Sequence, residues 1–321
     1  MGTIIRHTFL DSNGIRMHVT DAGRGYPILL CHGFPELWYS WRRQITALAE
    51  AGFRVLTPDL RGYGGTDAPE EVESYMMREL VEDIHGLFDA LGIDKAGVVG
   101  HDWGGALAWQ FALRHPERTE RVASLNTPHV APGPVPSSIA FRDAYGLTDK
   151  TYYMRHFLEP GVAERELEAD VRDTFQKLMR PAKYADSATQ FMTVGDGTSL
   201  LGKIGPGETF LSKIDLDTFV RIYKRTGFRG GLNWYRAMDL SWEEEKTLPS
   251  SEIDLPAMLV VSDKDPFLRP DLVEQMTKPH VKNLRIERIA DCGHWTQQEK
   301  PAEVSNLLID FFGDLRDPSM E

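Results

Sequence analysis

The feature that most constrains the fold is a short apolar segment that leads into an aspartate between glycines. Residues 96–100 form a continuous apolar run, and Gly100, Gly104 and Gly105 flank Asp102 before a stretch of small residues with a helical pattern. Continuous apolar runs are typical of strands that are buried on both faces of a parallel sheet. A glycine-flanked residue at the end of such a strand predicts a sharp strand-to-helix turn, which presents the central side chain above the sheet.

Other apolar segments of similar length recur along the chain and alternate with helical patterns. The strand candidates are 4–10, 15–21, 27–31, 54–58, 96–100, 122–126, 257–262 and 284–289. Between them, apolar residues recur at helical spacing, most clearly over 80–91 and 304–312. This alternation predicts an α/β fold with a mostly parallel, eight-stranded sheet flanked by helices.

The alternation stops between about residues 132 and 248. This stretch shows several helical patterns but no clear strand, and its borders are rich in proline and glycine. We interpret it as a helical unit inserted between two strands of one sheet. The expected division is a core made of residues 1–131 and 248–321, with a helical cap of residues 132–247.

The composition argues against nucleic-acid and membrane partners. The formal net charge is -12 and no basic run is present, whereas nucleic-acid binding requires clustered cations. No apolar run reaches the length of a membrane span, and the first ten residues lack the pattern of a signal peptide. Two cysteines, Cys31 and Cys292, fit a reducing compartment better than a disulfide framework. We expect a cytoplasmic protein that is a monomer or a homodimer.

The residue at the centre of the turn restricts the reaction. A serine that attacks an sp³ carbon would leave an ether, which water does not readily cleave. A carboxylate leaves an ester, which water can hydrolyse at its carbonyl. With a reference pKa of about 3.9, an aspartate is ionised at neutral pH and needs no base for this attack. Asp102 therefore indicates opening of an epoxide or a carbon–halogen bond, although an aspartate after a strand can also serve only as a helix N-cap.

Hydrolysis of such an ester requires a base, an orienting acid and donors for the oxyanion. In this kind of fold the acid and then the base follow the nucleophile along the chain. Asp265 follows one apolar strand candidate and His294 follows the last one, with Asp263 as an alternative acid. The backbone N–H groups of Phe34 and Trp103 are the expected oxyanion donors.

Six motifs together resemble the soluble epoxide hydrolases of the α/β-hydrolase superfamily, in particular the hydrolase domain of the mammalian members. They are His32-Gly-Phe-Pro35, Arg61-Gly-Tyr-Gly64, Gly100-His-Asp-Trp-Gly-Gly105, Phe157-Leu-Glu-Pro-Gly161, Asn233-Trp-Tyr-Arg236 and Asp291-Cys-Gly-His-Trp295. The resemblance covers roughly residues 12–312. It implies an α/β-hydrolase fold with a cap, conversion of epoxides to vicinal diols through an ester on Asp102, and no cofactor or metal. The mammalian members have an additional N-terminal domain to which the resemblance does not extend. We therefore do not expect an activity of that domain in this chain.

The resemblance also implies the acids of the reaction. Two cap tyrosines bind and protonate the epoxide oxygen in this family, and the matching positions are Tyr153 and Tyr235. A tyrosine, with a reference pKa near 10, remains a proton donor at neutral pH. Tyr152 is an alternative to Tyr153 because the two are adjacent. The family also implies a cis peptide bond before Pro35.

Large apolar side chains near these motifs predict a mostly apolar substrate pocket. Its expected lining residues are Phe34, Trp103, Phe157, Met192, Trp234 and Trp295. The expected partners are therefore a small apolar epoxide and water. One alternative is a haloalkane dehalogenase, but that reaction needs a halide donor where Phe34 stands. Another is a ligand receptor that keeps the fold without turnover, which the complete set of Asp102, Asp265 and His294 argues against.

Overall fold

One sheet of eight strands organises the molecule. The computed structural model describes residues 2–148, 152–184, 199–202, 204–205 and 207–316. The strands are β1 (Ile5–Ser12), β2 (Ile15–Gly23), β3 (Pro27–Cys31), β4 (Arg54–Pro58), β5 (Ala96–His101), β6 (Thr119–Leu125), β7 (Ile253–Ser262) and β8 (Val281–Ile289). Every predicted strand is present, and the predicted ends differ from the observed ones by at most four residues.

The strand order places β5 near the centre of a mostly parallel sheet. The order is β1-β2-β4-β3-β5-β6-β7-β8. Only the pairs β1–β2 and β2–β4 are antiparallel, and the remaining pairs are parallel. All six residues of β5 are buried, as expected for a strand covered on both faces. The predicted α/β-hydrolase fold is confirmed.

Helices cover both faces of this sheet. In the described part of the chain the α-helices are α1 (Arg42–Glu50), α2 (Met77–Leu91), α3 (Trp103–Arg114), α4 (Ser137–Ala144), α5 (Met154–Leu158), α6 (Val162–Ala169), α7 (Val171–Leu178), α8 (Lys213–Thr226), α9 (Arg229–Arg236), α10 (Met238–Glu245), α11 (Pro270–Thr277), α12 (Thr296–Glu299) and α13 (Pro301–Phe311). The helical patterns over 80–91 and 304–312 correspond to α2 and α13. Helices α4 to α10 all lie between β6 and β7.

Successive residues of β5 point to opposite faces of the sheet and join different clusters of apolar side chains. Val98 packs in the cluster that contains Phe88 of α2 and Leu107 of α3. Val99 packs in the cluster that contains Ile45 of α1 and Leu308 of α13. The central strand is thereby fixed from both sides, and the position of its carboxyl end is fixed with it.

Helices from the segment between β6 and β7 lie against the loops that follow the strands. The hydroxyl of Tyr223 on α8 donates to the carbonyl of Glu36 at 2.9 Å. Trp234 on α9 donates its indole N–H to the carbonyl of Arg61 at 3.0 Å. These contacts enclose the carboxyl end of β5. Within the described residues, no helix combines the length and the apolar character needed to cross a membrane.

Candidate active site

Asp102 occupies a strained turn between β5 and α3. Its backbone has φ 53° and ψ -124°, a conformation that L-residues rarely adopt. The turn requires close approach of strand and helix. A Cβ atom on Gly100 would lie 1.9 Å from the carbonyl oxygen of Gly104, and one on Gly104 would lie 2.2 Å from the carbonyl oxygen of Cys31. The glycines around Asp102 are therefore required by the backbone contact itself.

One oxygen of the Asp102 carboxylate is held by the backbone. The N–H of Phe34 donates to Oδ1 at 2.8 Å, and the peptide bond from Phe34 to Pro35 is cis, as expected. Burial raises the pKa of Asp102, while the charges of nearby histidines and the N–H groups of Phe34 and Trp103 act in the opposite direction. Both expected oxyanion donors thus lie beside the carboxylate.

His294 lies between two carboxylates. Its Nδ1 is 2.8 Å from Oδ2 of Asp265, and its Nε2 is 3.7 Å from Oδ2 of Asp102. Asp265 is held in turn by the N–H groups of Phe267 and Leu268, which donate to its Oδ1 at 2.8 Å and 3.0 Å. The structure therefore brings together three groups from the ends of β5, β7 and β8.

The competing acid lies elsewhere. Asp263 is exposed, and its Oδ1 accepts from the backbone N–H of Cys292 at 3.3 Å. Asp265 is buried and contacts the imidazole of His294 directly. Of the two aspartates at the end of β7, Asp265 is thus the partner of His294.

The two carboxylates determine the charge of His294. Burial by itself lowers the pKa of this imidazole, but Asp265 and Asp102 more than compensate and raise the pKa to about 9. The protonated form of His294 is therefore favoured at neutral pH. The raised pKa of His294 depends in part on the negative charge of Asp102, which a reaction at that carboxylate would remove.

Tyr153 and Tyr235 face Asp102 across a cavity of about 40 Å³. Burial raises the pKa of both phenols well above their ordinary value, so both remain proton donors at neutral pH. Tyr152 does not line this cavity. Its hydroxyl lies 2.6 Å from the sulfur of Met154. Between the adjacent tyrosines, Tyr153 is thus the one on the side of the cavity.

Two cavities meet at Asp102. The smaller also contains His294, and the expected pocket residues Phe34, Phe157 and Trp295 line it. The larger has a volume of about 300 Å³, and Trp103 and Trp234 line it together with Tyr153 and Tyr235. Met192, the remaining expected pocket residue, lies outside the described residues. The larger cavity is of a size that holds a small organic ligand.

A buried polar network behind the site was not predicted from the sequence. Glu36 is fully buried, and its Oε2 lies 2.7 Å from Nδ1 of His101. The side-chain amides of Gln297 and Gln298 donate to its Oε1 at 2.9 Å and 3.0 Å. Nε2 of His101 lies 2.8 Å from the carbonyl oxygen of His294. The sequence signal for this network was the acidic residue Glu36 directly after the motif His32-Gly-Phe-Pro35.

Phe267 was also missed as a site residue. Its ring lies 4.9 Å from the imidazole of His294, and it lines both cavities. Its position two residues after Asp265 is the only trace in the sequence, because the residue type alone predicts burial and not a site.

Similarity to known proteins agrees with this geometry. Residues 26–301 match the family described as alpha/beta hydrolase fold. The chain is 42% identical over 316 residues to the bifunctional epoxide hydrolase 2 of Mus musculus, covering 96% of this chain and 55% of that protein. It is 39% identical over 316 residues to epoxide hydrolase A of Mycobacterium tuberculosis, covering 95% and 97%. The chain spans about half the length of the mammalian relatives it matches.

Solved structures of similar proteins have the same architecture. A crystal structure of epoxide hydrolase A from Mycobacterium thermoresistibile superposes with a TM-score of 0.88 at 37% identity, over 97% of this chain and 98% of that one. An epoxide hydrolase from Vigna radiata superposes with a TM-score of 0.85 at 32% identity, over 97% and 98%. The chain belongs to the soluble epoxide hydrolase family of the alpha/beta hydrolase fold.

Proposed function

We propose that the chain hydrolyses epoxides to vicinal diols through a covalent ester on Asp102. The observation that carries this proposal is that Asp102 and two tyrosines, Tyr153 and Tyr235, line one small cavity. An epoxide needs a nucleophile at carbon and a proton donor at oxygen on opposite sides of the ring. The names of the relatives, which are epoxide hydrolases, support the same reaction.

In the first half-reaction Asp102 attacks one ring carbon. The attacking oxygen is Oδ2, because Oδ1 already accepts from the N–H of Phe34. A new carbon–oxygen bond forms while the carbon–oxygen bond of the ring breaks, and Tyr153 or Tyr235 gives its proton to the departing oxygen. The product is an ester of Asp102 that carries a neighbouring hydroxyl group.

In the second half-reaction His294 activates water. Ester formation removes the negative charge of Asp102, which is one of the charges that raise the pKa of His294. The imidazole therefore becomes a better base only after the ester has formed. His294 first gives its proton, by way of solvent, to the tyrosine that protonated the epoxide oxygen. The neutral imidazole then takes a proton from water, and the resulting hydroxide attacks the ester carbonyl. The N–H groups of Phe34 and Trp103 stabilise the oxyanion. The ester bond to the substrate oxygen then breaks, the proton of the added hydroxyl passes to that oxygen, and the diol leaves with Asp102 ionised and His294 protonated again.

The helical segment has a defined part in this reaction. We assign residues 132–247 as a cap over a core of residues 1–131 and 248–321. Asp102, Asp265 and His294 follow strands of the sheet, whereas Tyr153 and Tyr235 come from the helical segment. In this division the core carries the nucleophile and the base, and the cap carries the acids.

The state of the two cysteines bears on the cell compartment. Cys31 and Cys292 are both buried as free thiols, which fits a reducing compartment. We infer a cytoplasmic enzyme that acts on apolar epoxides as a monomer or a homodimer. Light scattering on the purified protein measures its assembly, and a tetramer would contradict this inference.

A haloalkane dehalogenase is the nearest different function. That reaction releases a halide, which needs polar donors around the leaving group. The side chain of Phe34 lies instead among aromatic rings, 5.4 Å from each of Phe157 and Tyr235. A dehalogenase also has no use for two tyrosine acids. Turnover of a chloroalkane in preference to styrene oxide would favour the dehalogenase, and turnover of neither would favour a ligand receptor.

The decisive experiment removes the base. His294→Ala mixed with styrene oxide should accumulate a protein adduct of the substrate's mass, which peptide mapping places on Asp102. Asp102→Asn is the matched control and should form no adduct. An adduct on another residue, or none in His294→Ala, would show that the covalent route is wrong.

A further inference from the structure

The larger cavity lies between α3 and α10, and both helices run away from Asp102. Asp102 directly precedes α3, and Tyr235 lies three residues before α10. The near ends are joined by the ring contact of Trp103 with Tyr235, at 5.0 Å. The far ends are joined by a double hydrogen bond of Arg114 with Glu244, at 2.8 Å and 2.7 Å. The helices therefore form two walls that run alongside each other.

One face of each helix lines the cavity. The lining residues are Trp103, Ala106, Trp109 and Gln110 from α3, and Met238, Ser241 and Glu245 from α10. Both sets have the spacing of a single helical face. Gln110 follows Asp102 by eight residues, which corresponds to a distance of about 12 Å along the helix. Gln110 and Glu245 thus mark the end of the cavity that is remote from the nucleophile.

These two residues place an amide and a carboxyl group at the remote end of a mostly apolar cavity. Oε1 of Gln110 accepts from Nε of Arg114 at 3.1 Å, which leaves its NH₂ group without an acceptor among the described residues. The carboxyl of Glu245 forms neither a hydrogen bond nor an ion pair with any described residue, because Arg114 is engaged by Glu244. Burial raises the pKa of Glu245 to about 7, with the charge of Glu244 adding to the shift and Arg114 opposing it.

An acceptor and a donor that line the same end of a cavity select a ligand by its hydrogen-bonding capacity. A hydroxyl group can donate to Glu245 and accept from Gln110 at the same time. An ammonium group would suit Glu245 but would face the donor hydrogens of Gln110. A carboxylate would suit Gln110 but would be repelled by Glu245.

We propose that the remote end of the cavity binds a hydroxyl group of the substrate, held by Glu245 and Gln110 about 12 Å from the epoxide ring. The inference rests on the proposed function and narrows its substrate class to epoxides with a distant hydroxyl group. Glu245 and Gln110 are specificity-determining residues in this assignment, and Asp102 remains the reacting group.

The test compares linear terminal epoxides of one length that end in a methyl, hydroxyl, amino or carboxyl group. For the wild-type protein, assayed above pH 7 so that Glu245 is ionised, kcat/KM should be about tenfold or more higher for the hydroxyl than for the methyl compound, as expected for one hydrogen bond to a charged group. Glu245→Leu should bring this ratio close to one. Glu245→Gln keeps an acceptor oxygen and should retain part of the preference.

The matched control is Glu243→Leu, because Glu243 lies on the same helix but is exposed and paired with Lys246. This variant should keep the wild-type ratio. Calorimetric titration of the corresponding diol products, with and without the distant hydroxyl, measures the same contact without turnover. Equal ratios and affinities in wild type and Glu245→Leu, or a preference for the amino or carboxyl compound, would overturn the inference. If the distant hydroxyl raises the affinity for the diol but no epoxide is turned over, the proposed function is wrong and the hydroxyl site remains supported.

Discussion

Nε2 of His294 lies 3.7 Å from Oδ2 of Asp102, so the proposed base and the proposed nucleophile form an ion pair in the resting protein. Each group affects the charge of the other. The carboxylate raises the pKa of the imidazole, and the imidazolium favours the ionised form of the carboxylate. The pair suits the first half-reaction, which needs a charged Asp102, and must be broken for the second, which needs a neutral His294.

The two half-reactions should therefore respond to pH in a defined way. Burial raises the pKa of Asp102, so alkylation should be lost as pH falls, at a higher pH than for an exposed aspartate. Ester hydrolysis requires neutral His294, whose resting pKa of about 9 sets an upper limit, so its rate should rise with pH up to that value. Rapid-quench single turnovers measure both rates. A pH-independent rate of ester hydrolysis would exclude His294 as the base.

Loss of either tyrosine hydroxyl should slow ring opening. Tyr153→Phe and Tyr235→Phe each remove a donor at the cavity, and we expect alkylation to slow by about 10²-fold or more in each. Tyr152→Phe is the matched control, because this hydroxyl faces Met154, and its alkylation rate should stay within a few-fold of wild type. If the control slows ring opening as much as Tyr153→Phe does, the assignment is wrong.

The orienting acid can be tested with a neighbouring pair of substitutions. Asp265→Asn should slow ester hydrolysis by about 10²–10⁴-fold, because His294 loses the charged partner of its Nδ1. The ester on Asp102 should then accumulate and be visible by mass spectrometry. Asp263→Asn changes an exposed side chain at the same strand end and should turn over normally. A larger effect of Asp263→Asn would reverse the two roles.

The buried network around Glu36 should contribute to stability. Burial alone would raise the pKa of Glu36, but His101 and the N–H of Gly33 lower it to about 2. Glu36→Ala leaves His101 without its charged partner, and the free energy of unfolding should fall by about 3 kcal/mol. A lowered pKa stabilises the fold only above the ordinary pKa, so the difference from wild type should shrink below about pH 4.

Denaturant titration of wild type and Glu36→Ala at two pH values tests this expectation. Glu50→Ala, at an exposed position on α1, is the control and should leave the unfolding midpoint close to that of wild type. A loss of stability that stays constant down to low pH would mean that packing, and not charge, accounts for the effect.

The turn at Asp102 should not tolerate a methyl group. Gly100→Ala places Cβ 1.9 Å from the carbonyl oxygen of Gly104, and neither backbone segment can move away easily. We expect a loss of about 3 kcal/mol or more, or failure to fold. Gly133→Ala is the control, because a Cβ there meets no atom within 4 Å. Thermal unfolding compares the two, and equal midpoints would contradict the packing argument.

The sheet and the three core residues of the site were predictable because local patterns determine them. The central strands are apolar runs, and Asp102, Asp265 and His294 lie within five residues of the ends of β5, β7 and β8. The choice between Tyr152 and Tyr153 was not predictable, because both precede α5 and the direction of each side chain depends on the local path of the backbone there. The partners of Glu36 and the positions of Gln110 and Glu245 depend on which helices and loops, distant from each other in the sequence, pack together. No local pattern records that information.

Strands β6 and β7 are hydrogen-bonded neighbours, with Val122 paired to Ala257, although α4 to α10 lie between them along the chain. Because the two strands are parallel, the inserted segment leaves the sheet at the carboxyl end of β6 and re-enters it at the amino end of β7, on the opposite edge. Its length and sequence can change during evolution without any shift of the strands that carry Asp102, Asp265 and His294. Most residues of this segment that line the larger cavity can therefore vary, provided that Tyr153 and Tyr235 keep their places opposite Asp102.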